Sequence, residues 1–175
     1  MNEFDEIIAN CNKAIENDPN NVDAYNGLGM INIVLEQYDS AISYLSNVVE
    51  KLDPNNVEAY KNLGLAYGKK ELWELSLKNY SKVIDLDPNN AVAYGGCGYA
   101  NFRMNQFEKS ISEFSKAISL DPNKADDYYF RGDAYRRTCQ WSLARADLEK
   151  ALQLNPELKA AKTSLDAVES MEKLL

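Results

Sequence analysis

Histidine is absent from all 175 residues, and with it the commonest general base, proton shuttle and metal ligand at neutral pH. Cysteine is scarce: Cys11, Cys97 and Cys139 are odd in number, lie far apart and form no C-x-x-C pair. Neither a disulfide framework nor a zinc site is indicated. Cations are outnumbered, 19 Lys and Arg against 27 Asp and Glu, for a net charge of −8. Phosphate-backbone binding needs clustered Lys and Arg, so nucleic acid is not an expected partner. No apolar run approaches the ~18 residues of a membrane span, and the N-terminus lacks the charged and apolar regions of a signal peptide. The expectation is a soluble, cytoplasmic protein without membrane contact. G-x-S-x-G, P-loop and strand-linked G-x-G-x-x-G motifs are missing as well. No enzyme activity, cofactor or metal is expected.

What the chain does have is a period. Val57 to Asn90 places Tyr60, Leu63, Gly64 and Tyr67 at i, i+3, i+4, i+7, then Trp73, Ser76, Leu77, Tyr80, Val83 and Ile84 at the same spacing. These are the apolar faces of two helices, and Pro88 ends the second, because proline lacks the N–H and clashes with the preceding turn. A lone helix pair cannot bury both faces, so it needs neighbours. They are present: Asp-Pro or Asn-Pro tags place Pro19, Pro54, Pro88, Pro122 and Pro156 at separations of 35, 34, 34 and 34. In phase with them run Tyr25-x-x-Leu28-Gly29, Tyr60-x-x-Leu63-Gly64, Tyr94-x-x-Cys97-Gly98 and Tyr128-x-x-Arg131-Gly132.

This pattern resembles the tetratricopeptide repeat (TPR) family, with its aromatic-x₂-Leu-Gly-x₂-Tyr opening and closing proline. The resemblance covers nearly the whole chain. It implies an all-α fold, a right-handed α-solenoid of antiparallel helix pairs with about ten helices, forming one domain over residues 1–175. Residues 2–21 match only the second half of a repeat; 22–56, 57–90, 91–124 and 125–158 are full repeats; 157–175 is an amphipathic capping helix. The one extra residue of the first full repeat lies in VVEKLDPNN, which predicts a second helix one residue longer. Asn20, Asn55 and Asn123, each with an acid three residues on, are read as N-caps. Asn155 is read as the cap of the last helix, whose inward residues are expected to include Leu158, Ala161, Leu165, Val168 and Leu174. Gly29, Gly64, Gly98 and Gly132 are set opposite Ala41, Ser76, Ser110 and Ala144, where paired helices would cross closely.

In TPR proteins the first helix of each repeat lines a concave groove that holds a peptide or a partner's helix. Counting the face opposite Tyr60, Leu63, Gly64 and Tyr67 gives the expected groove: Asn26, Met30, Lys61, Asn62, Leu65, Gly95, Gly96, Tyr99, Arg103, Tyr129, Phe130, Asp133, Arg136 and Arg137. Asp23, Glu58, Lys69 and Asp126 share it, leaving its charge near neutral and its character largely apolar. The five-residue clamp for chaperone C-termini known in the family is matched at one position only in each available register, so that partner is not expected. The expected function is a non-catalytic scaffold binding a peptide or helix of another protein. The alternative is self-assembly through the N-terminal helix, whose Phe4, Ile7, Ile8 and Cys11 stripe lacks its preceding mate.

Two positions break the pattern. Gly95 and Gly96 add glycine to a helix interior; one explanation is a hollow in the groove floor walled by Leu65, Tyr99, Tyr129 and Phe130, and the other is drift. Arg131 replaces Leu28, Leu63 and Cys97 at an apolar position. A buried guanidinium needs an acid, and Asp147 is the expected partner, with Glu113 as second choice.

Overall fold

The computed structural model describes residues 3–173. Among them are ten α-helices, one π-helical turn and no strand. They are α1 (Glu3–Asn17), α2 (Val22–Val34), α3 (Tyr38–Asn47) followed by the π turn (Val48–Leu52), α4 (Val57–Lys69), α5 (Trp73–Leu86), α6 (Ala91–Arg103), α7 (Phe107–Leu120), α8 (Ala125–Arg137), α9 (Trp141–Leu154) and α10 (Lys159–Glu172). The all-α fold of paired helices is the expected one. Asn2 and Leu174, assigned to the terminal helices from sequence, lie outside the described residues. The chain falls into two compact units, Met1–Pro88 and Asn89–Leu175.

In the first unit each of α1 to α5 packs on the next, and α2 also touches α4. Leu45, Val48, Ala59, Leu63 and Ala66 are its buried centre, with Tyr25, Tyr38, Tyr60 and Tyr67 closing around them. In the second unit α6 to α10 stack likewise, and α8 contacts both α6 and α10. Ala144, Leu148, Ala151, Ala161 and Val168 form a core there that joins α10 to α9. Of the residues expected inward on α10, Ala161 and Val168 are buried and Leu158 and Leu165 pack partly buried against that core.

Within each pair, the glycine of the first helix is a seat for a large side chain of the second. A Cβ at Gly29 would lie 2.5 Å from Leu45, at Gly64 2.9 Å from Tyr80, at Gly98 2.9 Å from Phe114, and at Gly132 3.1 Å from Leu148. The small residues expected opposite them play a lesser part: Ser76 Oγ donates to Gly64 O at 2.8 Å, and a Gly132 Cβ would meet Ala144 O at 3.3 Å. Filling these seats with Leu, Tyr or Phe removes about 1.5–3 kcal/mol worth of apolar surface from water per side chain.

The turns repeat as strictly as the helices. Glu36, Glu71, Asn105 and Cys139 sit at φ of 58–60° at the end of each first helix. The next residue's N–H returns to the helix, from Gln37 to Asn32 O, Leu72 to Tyr67 O, Gln106 to Asn101 O and Gln140 to Tyr135 O, a Schellman closure. Asp18, Asp53 and Asp121 accept from the N–H two residues on at 3.0–3.1 Å, folding the proline tag into an Asx turn.

The caps differ from the sequence reading by one residue. Asn21, Asn56 and Asn90 accept from the N–H of Ala24, Ala59 and Ala93 at 2.9, 2.8 and 3.1 Å. Asn20, Asn55 and Asn123 belong to the Asx turns instead. At the fourth repeat Lys124 takes the cap position and makes no side-chain cap bond. Asn155 likewise holds an Asx turn to Glu157 N–H, and α10 starts at Lys159, two residues beyond the expected start. The reason is geometric: the Asp or Asn side chain before proline already closes the turn, so the helix begins only at the following residues.

The extra residue of the first full repeat does not lengthen its helix either. Asp53 N–H bonds Val48 O, five residues back, whereas Asp87, Asp121 and Asn155 bond Val83, Ala117 and Ala151, four residues back. The insertion is absorbed as a π turn, which keeps Val48 fully buried and the tag in phase.

Arg131 pairs as expected. Its Nε and Nη2 donate to Asp147 Oδ2 and Oδ1 at 2.6 and 2.7 Å, a bidentate pair. The second partner is Ser115 Oγ, which accepts from Nη1 at 3.1 Å, not Glu113. Tyr128 and Tyr135 rings flank the guanidinium at 5.8 and 5.9 Å. Burial pulls its pKa down, but the Asp147 bonds and charge outweigh that and raise it, so the cation is secure.

Two outcomes follow. Deleting Glu50, exposed within the π turn, is expected to restore a regular turn and leave the thermal melt of the first unit nearly unchanged, whereas deleting Asp85 from the 34-residue repeat shifts every following residue and abolishes its cooperative transition. Asp147→Ala strands Arg131 and is expected to destabilise by about 3 kcal/mol, while Arg131→Leu costs less than Arg131→Ala; parent-like urea unfolding of Asp147→Ala would show the guanidinium reaching water instead.

Candidate partner-binding face

The seats fix which side of each first helix is buried, and therefore which side is free. In the first unit the free side of α2 and α4 carries Met30 and Val34, which are 42% and 55% exposed. Leu65 is half-buried and Lys69 exposed. Other expected groove residues are occupied within the structure. Asn26 Nδ2 donates to Asn56 Oδ1, tying α2 to the cap of α4 at 3.2 Å. Lys61 pairs with Glu58 at 2.5 Å, and Asn62 is buried, donating to Glu58 Oε1 at 3.3 Å.

In the second unit Val92 is 50% exposed at the start of α6. Further along lies an aromatic cluster centred on Phe130. Tyr99 and Tyr129 lie 4.8 Å from its ring centroid, Phe102 5.6 Å and Phe114 5.9 Å. The Tyr99 and Phe102 contacts are edge-to-face, Tyr129 is tilted and Phe114 is stacked, arrangements that add to the area buried. Arg103 lies over the Tyr99 ring and donates to its hydroxyl at 3.0 Å. Asp133, expected in the groove, is buried: Arg136 Nε reaches its Oδ1 at 2.6 Å, Arg137 Nε its Oδ2 at 3.6 Å, and Ser164 of α10 donates to it at 3.4 Å. Burial, with the Asp133 charge adding to it, raises the Tyr129 phenol, which also faces Ser164.

The hollow expected at Gly95 is filled. Asp127 lies there, its Oδ1 3.1 Å from where a Gly95 Cβ would be, with Lys124 Nζ at 3.4 Å. Lys124 and Asp127 pair at 3.5 Å, and Asp127 Oδ2 is buried with no hydrogen-bond partner among the described residues. Sequence reasoning set Asp126, which is exposed, in the groove and gave Asp127 only a capping or turn duty. A signal existed: Asp127 occupies the column of Ala24, Ala59 and Ala93, and the added bulk coincides with a lost side chain at Gly95. Gly96 is half-buried.

At the N-terminal edge, Phe4 and Ile7 are each 37% exposed. Ile8 and Cys11 are half-buried, and Cys11 Sγ lies 3.1 Å from a Gly27 Cβ position, against α2. Burial raises the Cys11 thiol pKa, which suits packing over reactivity. Among the described residues no group of acids and cysteines could hold a metal ion, and no helix is long and apolar enough to cross a membrane.

Family models for the tetratricopeptide repeat match residues 10–43, 57–90 and 125–158, and a TPR repeat model matches 98–138. The chain belongs to the tetratricopeptide repeat family. Its architecture is that of a protein-interaction scaffold, and TPR proteins are in general non-catalytic. No curated protein matches the chain in sequence. Among solved structures it is similar to MamA, at 28% identity over 87% of this chain and 83% of that one, with a TM-score of 0.80. YrrB, a TPR protein with an unusual peptide-binding site, is 25% identical over 93% and 83% of the two chains, with a TM-score of 0.78. The first TPR of Spaghetti (RPAP3), bound to the HSP90 peptide SRMEEVD, is 26% identical over 69% and 96%, with a TM-score of 0.66.

Gly95 and Asp127 are expected to be coupled. Gly95→Ala should destabilise the parent, yet in an Asp127→Ala background it should stabilise by about 1 kcal/mol, the helix preference of Ala over Gly. Burial holds the Asp127 carboxyl above its usual range; Lys124 draws it back, and Asp126 and Asp121 push it up. The folded state therefore binds this proton more readily than the unfolded chain. That contribution is full below the ordinary carboxylate pKa and is lost as pH rises through the raised one. Asp127→Asn should accordingly gain more stability relative to the parent at pH 7 than at pH 4 in urea titrations; equal differences at both pH values would place the carboxylate in water.

Proposed function

We propose that this TPR chain holds a peptide or helix of another protein against the free faces of its first helices. The observation that carries the reading is Met30 and Val34 in the first unit and Val92 in the second, apolar and 42–55% exposed on helices whose opposite sides are sealed by their partners. Exposed apolar side chains on the free side of a packed helix mark interaction surfaces. The peptide-binding site of YrrB and the bound peptide of the Spaghetti domain support it by likeness. Asn26, Gly95 and Asp133 hold neighbouring helices in place and Lys61 and Asn62 engage Glu58 of their own helix, whereas Met30, Leu65, Tyr99, Phe130 and Arg137 supply contact. The reading places the protein among cytoplasmic adaptors.

A second reading rests on Phe4 and Ile7, exposed together on α1: self-assembly through that edge. One set of variants separates the two. Met30→Glu with Val34→Lys should leave the thermal melt unchanged, because both side chains face water, yet abolish partner capture in affinity purification. Leu143→Glu, exposed on the outer helix α9, should retain it. Capture that survives the Met30 and Val34 changes removes the binding face in the first unit, and a dimer lost on Ile7→Glu in light scattering transfers the function to the edge.

A further inference from the structure

The first turn of α8 leaves an acid unsatisfied. Asp127 stands in the column that holds Ala24, Ala59 and Ala93 in the other repeats, and its side chain is only 3% exposed. Oδ2 has no hydrogen-bond partner among the described residues. The Lys124 ammonium stands 3.5 Å from Oδ1, longer than a charge-assisted hydrogen bond of about 2.8 Å. Burying a carboxylate with an oxygen unserved is costly. Stability alone therefore gives no reason to prefer it to the alanine of its column.

Gly95 opens the way to it. The same column carries Asn26 in the first full repeat, whose amide donates to Asn56 at the start of the next first helix at 3.2 Å. Gly95 brings no such donor to the start of α8. A Cβ at Gly95 would lie 3.1 and 3.6 Å from the two Asp127 oxygens and 3.4 Å from Lys124 Nζ, so all three border one spot. Val92, Gly95 and Gly96 follow one another along one side of α6. Val92 is 50% exposed and Gly96 half-buried, so bare backbone leads from the free face towards the carboxylate. Lys124 is held loosely: its side chain is 41% exposed. It makes no cap bond, unlike Asn21, Asn56 and Asn90 at the same position. Asp121 and Asp126 also act on Asp127 through their charges, so the acids at this spot outnumber its ammonium.

We propose that Asp127 anchors an arginine side chain of the partner segment, whose stem lies across Gly95 and Gly96 and whose guanidinium displaces the Lys124 ammonium. The assignment rests on the partner-binding reading and gives that partner a cation over the N-terminal ends of α6 and α8. A guanidinium serves both carboxylate oxygens at once with its parallel N–H groups. Arg131 does so for Asp147 in the same repeat, at 2.6 and 2.7 Å. An ammonium near Oδ1 leaves Oδ2 unserved. The aliphatic stem needs a path clear of side chains, and two adjacent glycines supply one. Lys124, once displaced, loses one long contact and turns to water.

The probe is a phage-displayed library of random dodecapeptides panned on the intact protein. Enriched peptides should carry arginine close to an apolar residue. A synthetic peptide of that type should lose about tenfold in affinity when its arginine is exchanged for citrulline, the neutral isostere. On Asp127→Asn the arginine peptide should lose as much, and the citrulline exchange should then cost nothing further. Asp127→Asn is expected to be the more stable protein at pH 7, so weaker binding does not reflect unfolding. Lys124→Gln should tighten binding, because it removes the internal competitor; weaker binding there overturns the displacement. If enriched peptides lack arginine, or the citrulline exchange costs the same in parent and Asp127→Asn, the charge assignment fails while the binding face stands. If none is enriched, both readings fail. If light scattering finds a dimer that Asp127→Asn dissociates, the occupant is a second copy of this chain, and the proposal is overturned.

Discussion

Each helix pair depends on one contact, a large side chain of the second helix seated on a glycine of the first. Leu45, Tyr80, Phe114 and Leu148 occupy the space a Cβ would take. Such interiors cannot give way easily, because they are close-packed and their neighbours are backbone-bound. The seat therefore fixes rotation as well as distance. Once it is filled, the aromatic column of each first helix points inward, and Met30, Val34 and Val92 are left facing water. The free side of these helices is the remainder of this packing.

The turns supply the second constraint, keeping successive seats in phase. Asx turns at the proline tags and left-handed residues at the first-helix ends recur at the same positions. The first full repeat shows how strong that phase is. With one residue too many, it yields a π turn before it yields the position of Val48. A single irregular turn costs less than moving a fully buried valine and the tag behind it.

The fourth repeat is built differently from the others, with ionic groups where they use apolar ones. Asp127 replaces alanine, Arg131 leucine, and Asp133 an apolar contact residue. Each is compensated nearby: by Gly95 and Lys124, by Asp147 and Ser115, and by Arg136, Arg137 and Ser164. Buried ion pairs add little net stability against apolar packing, but they set direction and register. In this repeat they fix guanidinium groups, Arg131 on Asp147 and Arg136 on Asp133, where the other repeats carry uncharged side chains.

How much of this was legible in the sequence depended on the range of the interaction. The period, the helix pairs, the close crossing at Gly29, Gly64, Gly98 and Gly132, and the Arg131–Asp147 pair follow from spacing, because a repeated column has the same neighbours each time it occurs. That Leu45, Tyr80, Phe114 and Leu148 fill those crossings, and not the small residues set opposite, is seen only in the fold. Local rules failed where two of them competed for one residue. The Asn-Asn and Asn-Lys tags hold both an Asx turn and a cap, and only the folded backbone decides which residue takes which. Likewise, an inserted residue announces its presence but not whether the helix lengthens or bulges. The filling of Gly95 by Asp127, and the burial of Asn62 and Asp133 under a face on which they were expected to be exposed, required the tertiary structure, since side-chain direction across a helix–helix gap is set by the neighbouring helix and not by the period of its own.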